Sequence, residues 1–266
     1  MIVFDGKAEA NTRKLVVQQK INKFPHLKIF SLVFQEDRPS TIYTALKKKD
    51  AQAVGIAYDD VYLPIGTPVA EIQQLVRDAV AQQDVQGIII QKPAKSLMPS
   101  ETWWGEVVSA LDPEKDVDGL TGKGKVLPAT ARAILEILKI AERELKTSAR
   151  GKTALVLGRS DIVGRPAAAG LEKRDIKTQL FGRAELAKHP EALETADIII
   201  TATGQENLIS ASTLKQGAIV IDAGSPKPEV DLSHGSSNIS FLSPVPGGVG
   251  PMTRVCLLEN LLDLVQ

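Results

Sequence analysis

One cysteine, three histidines, no surplus charge of either sign and no long apolar run exclude several kinds of protein at the outset. Cys256 alone forms no intrachain disulfide and supports no cysteine-based zinc site. Three histidines also argue against His-rich metal chemistry, so no metal is expected. Thirty-two Lys and Arg residues balance 32 Asp and Glu. That balance removes the bulk attraction on which non-specific binding to nucleic acid or an acidic membrane depends. No apolar stretch approaches the ~20 residues of a spanning helix, and the start, Met1-Ile-Val-Phe-Asp-Gly6, lacks the basic and apolar segments of a secretion signal. The expectation is a cytosolic protein with neither a nucleic acid nor a membrane as partner.

What is present is an ordinary globular mixture, 43% hydrophobic and 24% charged over 266 residues, long enough for two modest domains. Helical and strand-like patterns alternate. An amphipathic helix is expected from Lys7 to Phe24, ended by Pro25, then a strand from Leu27 to Phe34 and a helix from Ile42 to Val54 stopped by Gly55. An extended piece from Ile56, a helix from Val69 to Gln82 and a buried strand from Val85 to Ile90 follow. A Gly- and Lys-rich stretch at Thr121–Lys125 marks a domain crossover before a helix from Ala131 to Leu145. The second series runs strand Thr153–Leu157, helix Pro166–Arg174, strand Thr178–Phe181, helix Glu185–Ala196, and strands Asp197–Thr201 and Ala218–Asp222. The last helix, Met252–Val265, is expected to pack back on the first domain. The fold class is α/β: two domains, each a mainly parallel sheet flanked by helices, the second Rossmann-like, with boundaries at 1–120 plus 252–266 and at 121–251.

Five places could carry chemistry. In Leu155-Val-Leu-Gly158-Arg-Ser-Asp-Ile162-Val-Gly164-Arg-Pro166 a glycine ends a buried strand and a proline opens a helix, so backbone N–H groups would face a pyrophosphate, with Arg159 or Ser160 as side-chain donor. The spacing departs from G-x-G-x-x-G, and a plain strand-to-helix turn fits the same residues. Some 20 residues on, where a carboxylate holds the ribose of NAD, the chain reads Phe181-Gly182-Arg183 with Glu185 slightly later. Arg183 is either a partner for the 2′-phosphate of NADP or a solvated surface arginine. Tyr43 and Lys47 share a helix face, where a partly desolvated amine beside a phenol can exchange protons; a charged face Lys47–Lys49 is the alternative. Gln91 and Asp118 would sit at a cleft rim, or be a polar strand end and a turn aspartate. The run Pro244-Val-Pro246-Gly247-Gly248-Val249-Gly250-Pro251 has three prolines and three glycines in eight residues. It specifies a fixed irregular loop whose bare backbone admits a flat ligand.

Taken together, Ser40-x-x-Tyr43-x-x-x-Lys47, Gly87-Ile-Ile-Ile-Gln91-x-Pro93, Pro113-x-Lys-Asp-Val-Asp118-Gly-Leu120, Gly158-Arg-Ser-x-Ile-Val-Gly164-x-Pro166 and Pro244-Val-Pro-Gly-Gly-Val-Gly-Pro-Met-Thr253 resemble the bifunctional methylenetetrahydrofolate dehydrogenase/cyclohydrolase family over essentially the whole chain. The resemblance implies folate on the first domain, NADP on the second, a cleft, and a homodimer serving one-carbon metabolism and purine biosynthesis. It implies oxidation of 5,10-methylenetetrahydrofolate and hydrolysis of the methenyl product to 10-formyltetrahydrofolate. Lys47 would assist proton transfer, Gln91 restrain it, Tyr43 stack near the pterin and Asp118 anchor the amino-pyrimidine edge. Pro93 and the loop Pro246, Gly247, Gly248, Val249, Gly250, Pro251, Met252 and Thr253 would line the substrate site. Gly158, Arg159, Ser160, Ile162, Gly164, Arg183, Thr203 and Ser225 would hold the cofactor. The chain departs from the family pattern at Gln91-Lys92-Pro93-Ala94-Lys95, where the family usually has Gln-Leu-Pro-Leu-Pro. A dehydrogenase without hydrolase activity, a non-catalytic folate- or nucleotide-binding regulator and a shikimate-type dehydrogenase are the competing expectations.

Overall fold

The computed structural model describes residues 1–24 and 26–266. In chain order the elements are β1 (Ile2–Val3), α1 (Gly6–Ile21), β2 (Lys28–Phe34), α2 (Arg38–Ala53), β3 (Ala57–Leu63), α3 (Val69–Ala81), β4 (Gly87–Ile90), α4 (Trp103–Val108), α5 (Ala129–Glu144), β5 (Thr153–Leu157), α6 (Gly164–Glu172), β6 (Lys177–Phe181), α7 (Arg183–Lys188), α8 (Ala192–Thr195), β7 (Ile198–Thr201), β8 (Ile209–Ser210), β9 (Ala218–Asp222), β10 (Val230–Asp231), β11 (Ile239–Ser243) and α9 (Val249–Val265). They form two compact units. One comprises Met1–Asn11 and Thr130–Thr253, the other Thr12–Ala129 and Arg254–Gln266. Among the described residues no helix is long and apolar enough to cross a membrane.

The second of these units is built on a three-stranded parallel sheet in the order β3-β2-β4. Central β2, Lys-Ile-Phe-Ser-Leu-Val-Phe, is buried from Ile29 to Phe34, as a strand covered on both faces must be. Phe30, Leu32 and Phe34 pack with Ile72 and Val76 of α3 and Trp103 and Val107 of α4. Each such side chain contributes about 1.5–3 kcal/mol by leaving water. Buried Asn260 of α9 donates to the carbonyls of Val117 (2.8 Å) and Leu127 (2.9 Å), fixing the loop that follows the sheet. Asp50 of α2 accepts from Lys14 (2.8 Å) and Arg254 (2.6 Å), and Arg13 binds Glu259 through two 2.7 Å contacts.

The other unit carries a six-stranded, wholly parallel sheet in the order β1-β11-β9-β7-β5-β6, beside a two-stranded parallel pair β10-β8. The order reverses at β5, whose neighbours are β6 on one side and β7 on the other. The carboxyl ends of β5 and β7 therefore form the switch point at which open parallel sheets bind ligands. Leu155, Leu157, Ile199, Val220 and Leu242 of the strands are buried with Leu186, Ala192 and Leu193 of α7 and α8.

The structure moves several expected boundaries. The first helix ends at Ile21 rather than Phe24, and Pro25, its expected stop, lies outside the described residues. Helix α2 begins at Arg38, four residues before the expected Ile42, because Asp37 precedes it and Pro39 occupies its first turn. The single helix expected at Glu185–Ala196 is two, α7 and α8, parted at His189-Pro190, where proline supplies no N–H. The expected 120/121 boundary falls instead at 129/130. The first eleven residues, expected in the domain ending at 120, join the six-stranded unit because β1 pairs with β11, Ile2 beside Phe241.

Burial pushes the Asp50 carboxyl upward, but Lys14 and Arg254 outweigh it and hold the group below its ordinary value of 3.8. Its contribution is therefore complete above the unfolded value and is lost as pH falls through the lower folded one. In urea unfolding followed by Trp103 and Trp104, which share this unit, Asp50→Asn should cost on the order of 1–3 kcal/mol at neutral pH. The difference from the unaltered chain should shrink steadily below pH 3.8. A pH-independent difference would contradict this.

Candidate active site and nucleotide turn

In the three-stranded unit, Ser40, Thr44, Lys47 and Ala51 lie on the buried side of α2, the face set by i, i+4, i+7 spacing. The first turn of that helix is tied to the loop after β4. The Asp37 carboxylate accepts from the Ser40 hydroxyl and from the Ala94 N–H (3.2 Å), and the Ser40 hydroxyl also reaches the Lys92 carbonyl (3.4 Å). This clasp sets Gln91 beside the helix. Lys47, with a side chain 3% exposed, donates from Nζ to Gln91 Oε1 at 3.1 Å and Asp118 Oδ2 at 3.0 Å. Its Nζ lies 5.8 Å from the centre of the half-buried Tyr43 ring. Buried Pro93 follows, and Lys92 places its ammonium 5.4 Å from the centre of the Trp104 ring.

Asp118 is held by its neighbours. Residue 116 continues the sheet as a parallel bridge beside Ile88, and the fully buried Asp116 carboxylate accepts from Leu120 N–H (3.0 Å) and from Thr121 N–H and hydroxyl (2.8 Å each). Burial raises the Asp116 carboxyl above its ordinary value despite those donors. Burial likewise raises the Tyr58 phenol on β3, and the nearby Asp118 and Asp60 charges add to the effect. Asp37, Asp116 and Asn260 were not singled out from the sequence. The Asp-x-Pro-Ser helix-start signal was available for Asp37, and Asp116 lies within the Pro113–Leu120 segment quoted for Asp118; nothing local marked Asn260.

In the six-stranded unit, β5 is followed by Gly158, whose φ is +117° and whose N–H donates to the Phe181 carbonyl (2.8 Å). A side chain there would meet the Ala202 carbonyl oxygen at 2.3 Å. Only glycine lets the two strand ends close up at the switch point. The turn continues through exposed Arg159 and partly buried Ser160 and Ile162 to Gly164, which opens α6; the Gly164 N–H points to Ser160 Oγ at 3.4 Å. This cradle of backbone N–H groups at a helix start fits a pyrophosphate.

Arg159 donates to the Leu180 carbonyl (3.2 Å) and pairs with Glu185 (2.8 Å), whose other oxygen accepts the Gly182 N–H (3.0 Å). The Glu185 backbone N–H, and with smaller effect the Gly182 N–H and Arg159, hold this carboxyl below its ordinary value. Arg183 extends elsewhere, towards Gln205 (3.4 Å). Thr203 gives its N–H and hydroxyl to the fully buried Glu229, and Ser225 is exposed at a cis Ser225–Pro226 bond.

Two family models match the chain. One, the tetrahydrofolate dehydrogenase/cyclohydrolase catalytic domain, covers residues 4–118, and the other, the NAD(P)-binding domain of the same family, covers 128–266. The chain belongs to the tetrahydrofolate dehydrogenase/cyclohydrolase family. A bifunctional protein FolD from Lactobacillus acidophilus is 32% identical over 99% of this chain and 97% of its own, and one from Levilactobacillus brevis is 34% identical over 100% and 94%. The solved Trypanosoma brucei methylenetetrahydrofolate dehydrogenase-cyclohydrolase, complexed with NADP and an inhibitor, superposes with a TM-score of 0.89 at 27% identity, covering 99% of this chain and 96% of that one.

Family and fold divide the chain differently at both ends. Residues 4–11 fall within the catalytic-domain match but group with the six-stranded unit, whereas residues 254–266 fall within the NAD(P)-binding match but group with the three-stranded one. The expected substrate loop is also partitioned: Pro246 to Thr253 belong to the six-stranded unit, while Tyr43, Lys47, Gln91, Pro93 and Asp118 belong to the other. Part of that loop's need for glycine is internal. A side chain at Gly248 would strike Ser243 Oγ at 2.2 Å, and one at Gly6 would strike the Gly248 carbonyl oxygen at 2.2 Å. Val249, Met252 and Thr253 are buried, Gly247, Gly250 and Pro251 partly so, and Pro246 is exposed after a cis Val245–Pro246 bond.

Gly158→Ala should abolish nucleotide binding and cost roughly 1–3 kcal/mol, since the added methyl occupies the Ala202 carbonyl's place in a backbone conformation disfavoured for alanine. Nucleotide titration with a thermal melt checks this. Unaltered affinity in a fully folded variant would refute the role of the turn.

Proposed function

We propose that the chain oxidises 5,10-methylenetetrahydrofolate to 5,10-methenyltetrahydrofolate with NADP and hydrolyses the methenyl compound to 10-formyltetrahydrofolate. The observation that carries the proposal is the buried Lys47 amine, held at 3.0–3.1 Å by Asp118 and Gln91 beside the Tyr43 ring, on a chain matched by both family domains. NADP, when bound, accepts the hydride released from the one-carbon bridge. Gly158, Arg159, Ser160, Ile162 and Gly164 would hold its phosphates and ribose, with Arg183, Thr203 and Ser225 as outer contacts.

The hydrolytic step needs a water and a group that moves its proton. Lys47 is that group in this reading. Gln91 accepts one of its three N–H bonds and fixes its direction, and Tyr43 offers a flat face to the pterin. Asp118 presents a carboxylate to the amino-pyrimidine edge, which matches paired N–H donors. A carboxylate has lone pairs for both, so Asp118 takes that edge while the Lys47 amine keeps its Asp118 and Gln91 contacts and exchanges its remaining proton with the water. Pro93 completes the substrate contacts that the three-stranded unit supplies. By family likeness, the proposal extends to a homodimer acting in the cytoplasm and supplying purine biosynthesis.

Adding methylenetetrahydrofolate and NADP to the purified protein should yield reduced nucleotide, with methenyl absorbance decaying faster than its uncatalysed rate. Lys47→Met should lower hydrolysis by about 10²–10⁴-fold and leave nucleotide affinity within about twofold, a small change on the tenfold-per-1.4 kcal/mol scale. Equal loss of nucleotide binding would contradict the assigned role, and methenyl that persists with the unaltered protein would remove the hydrolase half of the proposal.

A further inference from the structure

The end of the second strand of a dinucleotide-binding sheet is where the adenosine ribose is read: a carboxylate there accepts from the 2′-hydroxyl of NAD, whereas a guanidinium receives the 2′-phosphate of NADP. This chain supplies both groups and binds them to each other. β6 lies directly beside β5 in the sheet, and the Gly158 N–H to Phe181 carbonyl bond brings the phosphate turn and the end of β6 together. From that turn Arg159 reaches across β6 to the Leu180 carbonyl and pairs with Glu185 at 2.8 Å, while the second Glu185 oxygen takes the Gly182 N–H at 3.0 Å. The pair faces solvent, the Arg159 side chain 47% and the Glu185 side chain 36% exposed. Gly182 adds nothing of its own to compete for a ligand. A side chain there would meet Glu185 Oε2 at 2.9 Å.

We infer that Glu185 is a specificity-determining residue for the nucleotide. Its carboxylate accepts a hydrogen bond from the ribose 2′-hydroxyl of NAD and, by occupying Arg159, holds down the affinity for the 2′-phosphate of NADP. The inference rests on the reading of the Gly158–Gly164 turn as the pyrophosphate site and goes beyond the NADP assignment: both nucleotides serve, and one acidic side chain sets their ratio. The physical reason is charge. Glu185 accepts from Arg159 at one oxygen and from the Gly182 N–H at the other, with its own backbone N–H as a third donor, and the fourth lone-pair site of the carboxylate is open to a neutral hydroxyl. A phosphate monoester of about −1.5 to −2 at neutral pH meets Glu185 as a like charge and must take Arg159 away from it. Arg183, the arginine first expected to bind the 2′-phosphate, is directed at Gln205 and does not relieve this competition.

The test is equilibrium binding of NADH and NADPH to the full chain by nucleotide fluorescence, with the unaltered protein, Glu185→Gln and Glu185→Ala. The unaltered protein should bind the two within about tenfold of each other. Both variants should tighten NADPH by about tenfold as Arg159 is released, loosen NADH severalfold, and increase the salt dependence of NADPH binding. Ratios unchanged in both variants, with both nucleotides still bound, would overturn the assignment of Glu185 and leave the nucleotide turn standing. Failure of the unaltered chain to bind either nucleotide would overturn both. Adenosine 2′,5′-bisphosphate against 5′-AMP, titrated into the same three proteins, isolates the ribose end. The variants should favour the bisphosphate, and an unmoved preference would refute the inference independently of the nicotinamide end.

Discussion

An ammonium group whose side chain is 3% exposed must find its counter-charge and hydrogen bonds inside the protein, because an uncompensated buried charge costs several kcal/mol. That requirement organises the three-stranded unit. Lys47 is met by Asp118 and Gln91, which arrive from segments far apart in sequence, and each partner is fixed in turn by further polar groups. Asp37 and Ser40 tie the helix of Lys47 to the loop of Gln91. Asp116 folds the turn that presents Asp118, and Asn260 clamps the same loop from the last helix. The buried amine is thus held by a second layer of acids and amides that accept or donate in their turn.

The six-stranded unit solves a different problem with similar means. The loops after β7 and β9 carry polar backbone that must stay paired at the switch point of the sheet. Two buried carboxylates do this. Asp222 accepts from Thr201 Oγ1 and from the N–H groups of Gly224, Glu229 and Val230, while Glu229 accepts from Thr203 and Gly204. Burial raises the Glu229 carboxyl above its ordinary value even so. The carboxyl ends of these strands are thus tied together by buried carboxylates, and the Arg159–Glu185 pair stands exposed at the sheet's edge.

Legibility in the sequence followed the range of the interaction. The β5 strand and its turn were readable because Thr-Ala-Leu-Val-Leu, Gly158 and Pro166 each state a local preference, and the strand bounds Thr153–Leu157 were met without shift. Lys47 was not separable from Lys48 and Lys49 by composition. About 100° of helical rotation per residue gives the three different surroundings: Lys47 is buried, Lys48 pairs with Asp60 and Lys49 is exposed. Strand β1 is two residues long, too short for any periodicity, and its partner β11 lies at the other end of the chain. The fixing roles of Asp116 and Asn260 were likewise invisible, since an acid in a turn and an amide in a helix acquire meaning only from long-range donors and carbonyls. The five family-like segments contain the groups proposed to meet ligand; of the residues that position those groups, Ser40 and Asp116 lie inside the segments, and Asp37 and Asn260 lie outside them.

The coupling between Lys47 and Asp118 tests the account most directly. A double-mutant cycle on the rate of methenyltetrahydrofolate hydrolysis at saturating substrate, where the part of Asp118 in binding drops out, with Lys47→Met, Asp118→Asn and both together, measures it. If the two side chains act as one unit on the proton transfer, the double variant will be no slower than Lys47→Met alone. Losses that multiply would show that they act independently, and the buried pair would not be the basis of the chemistry.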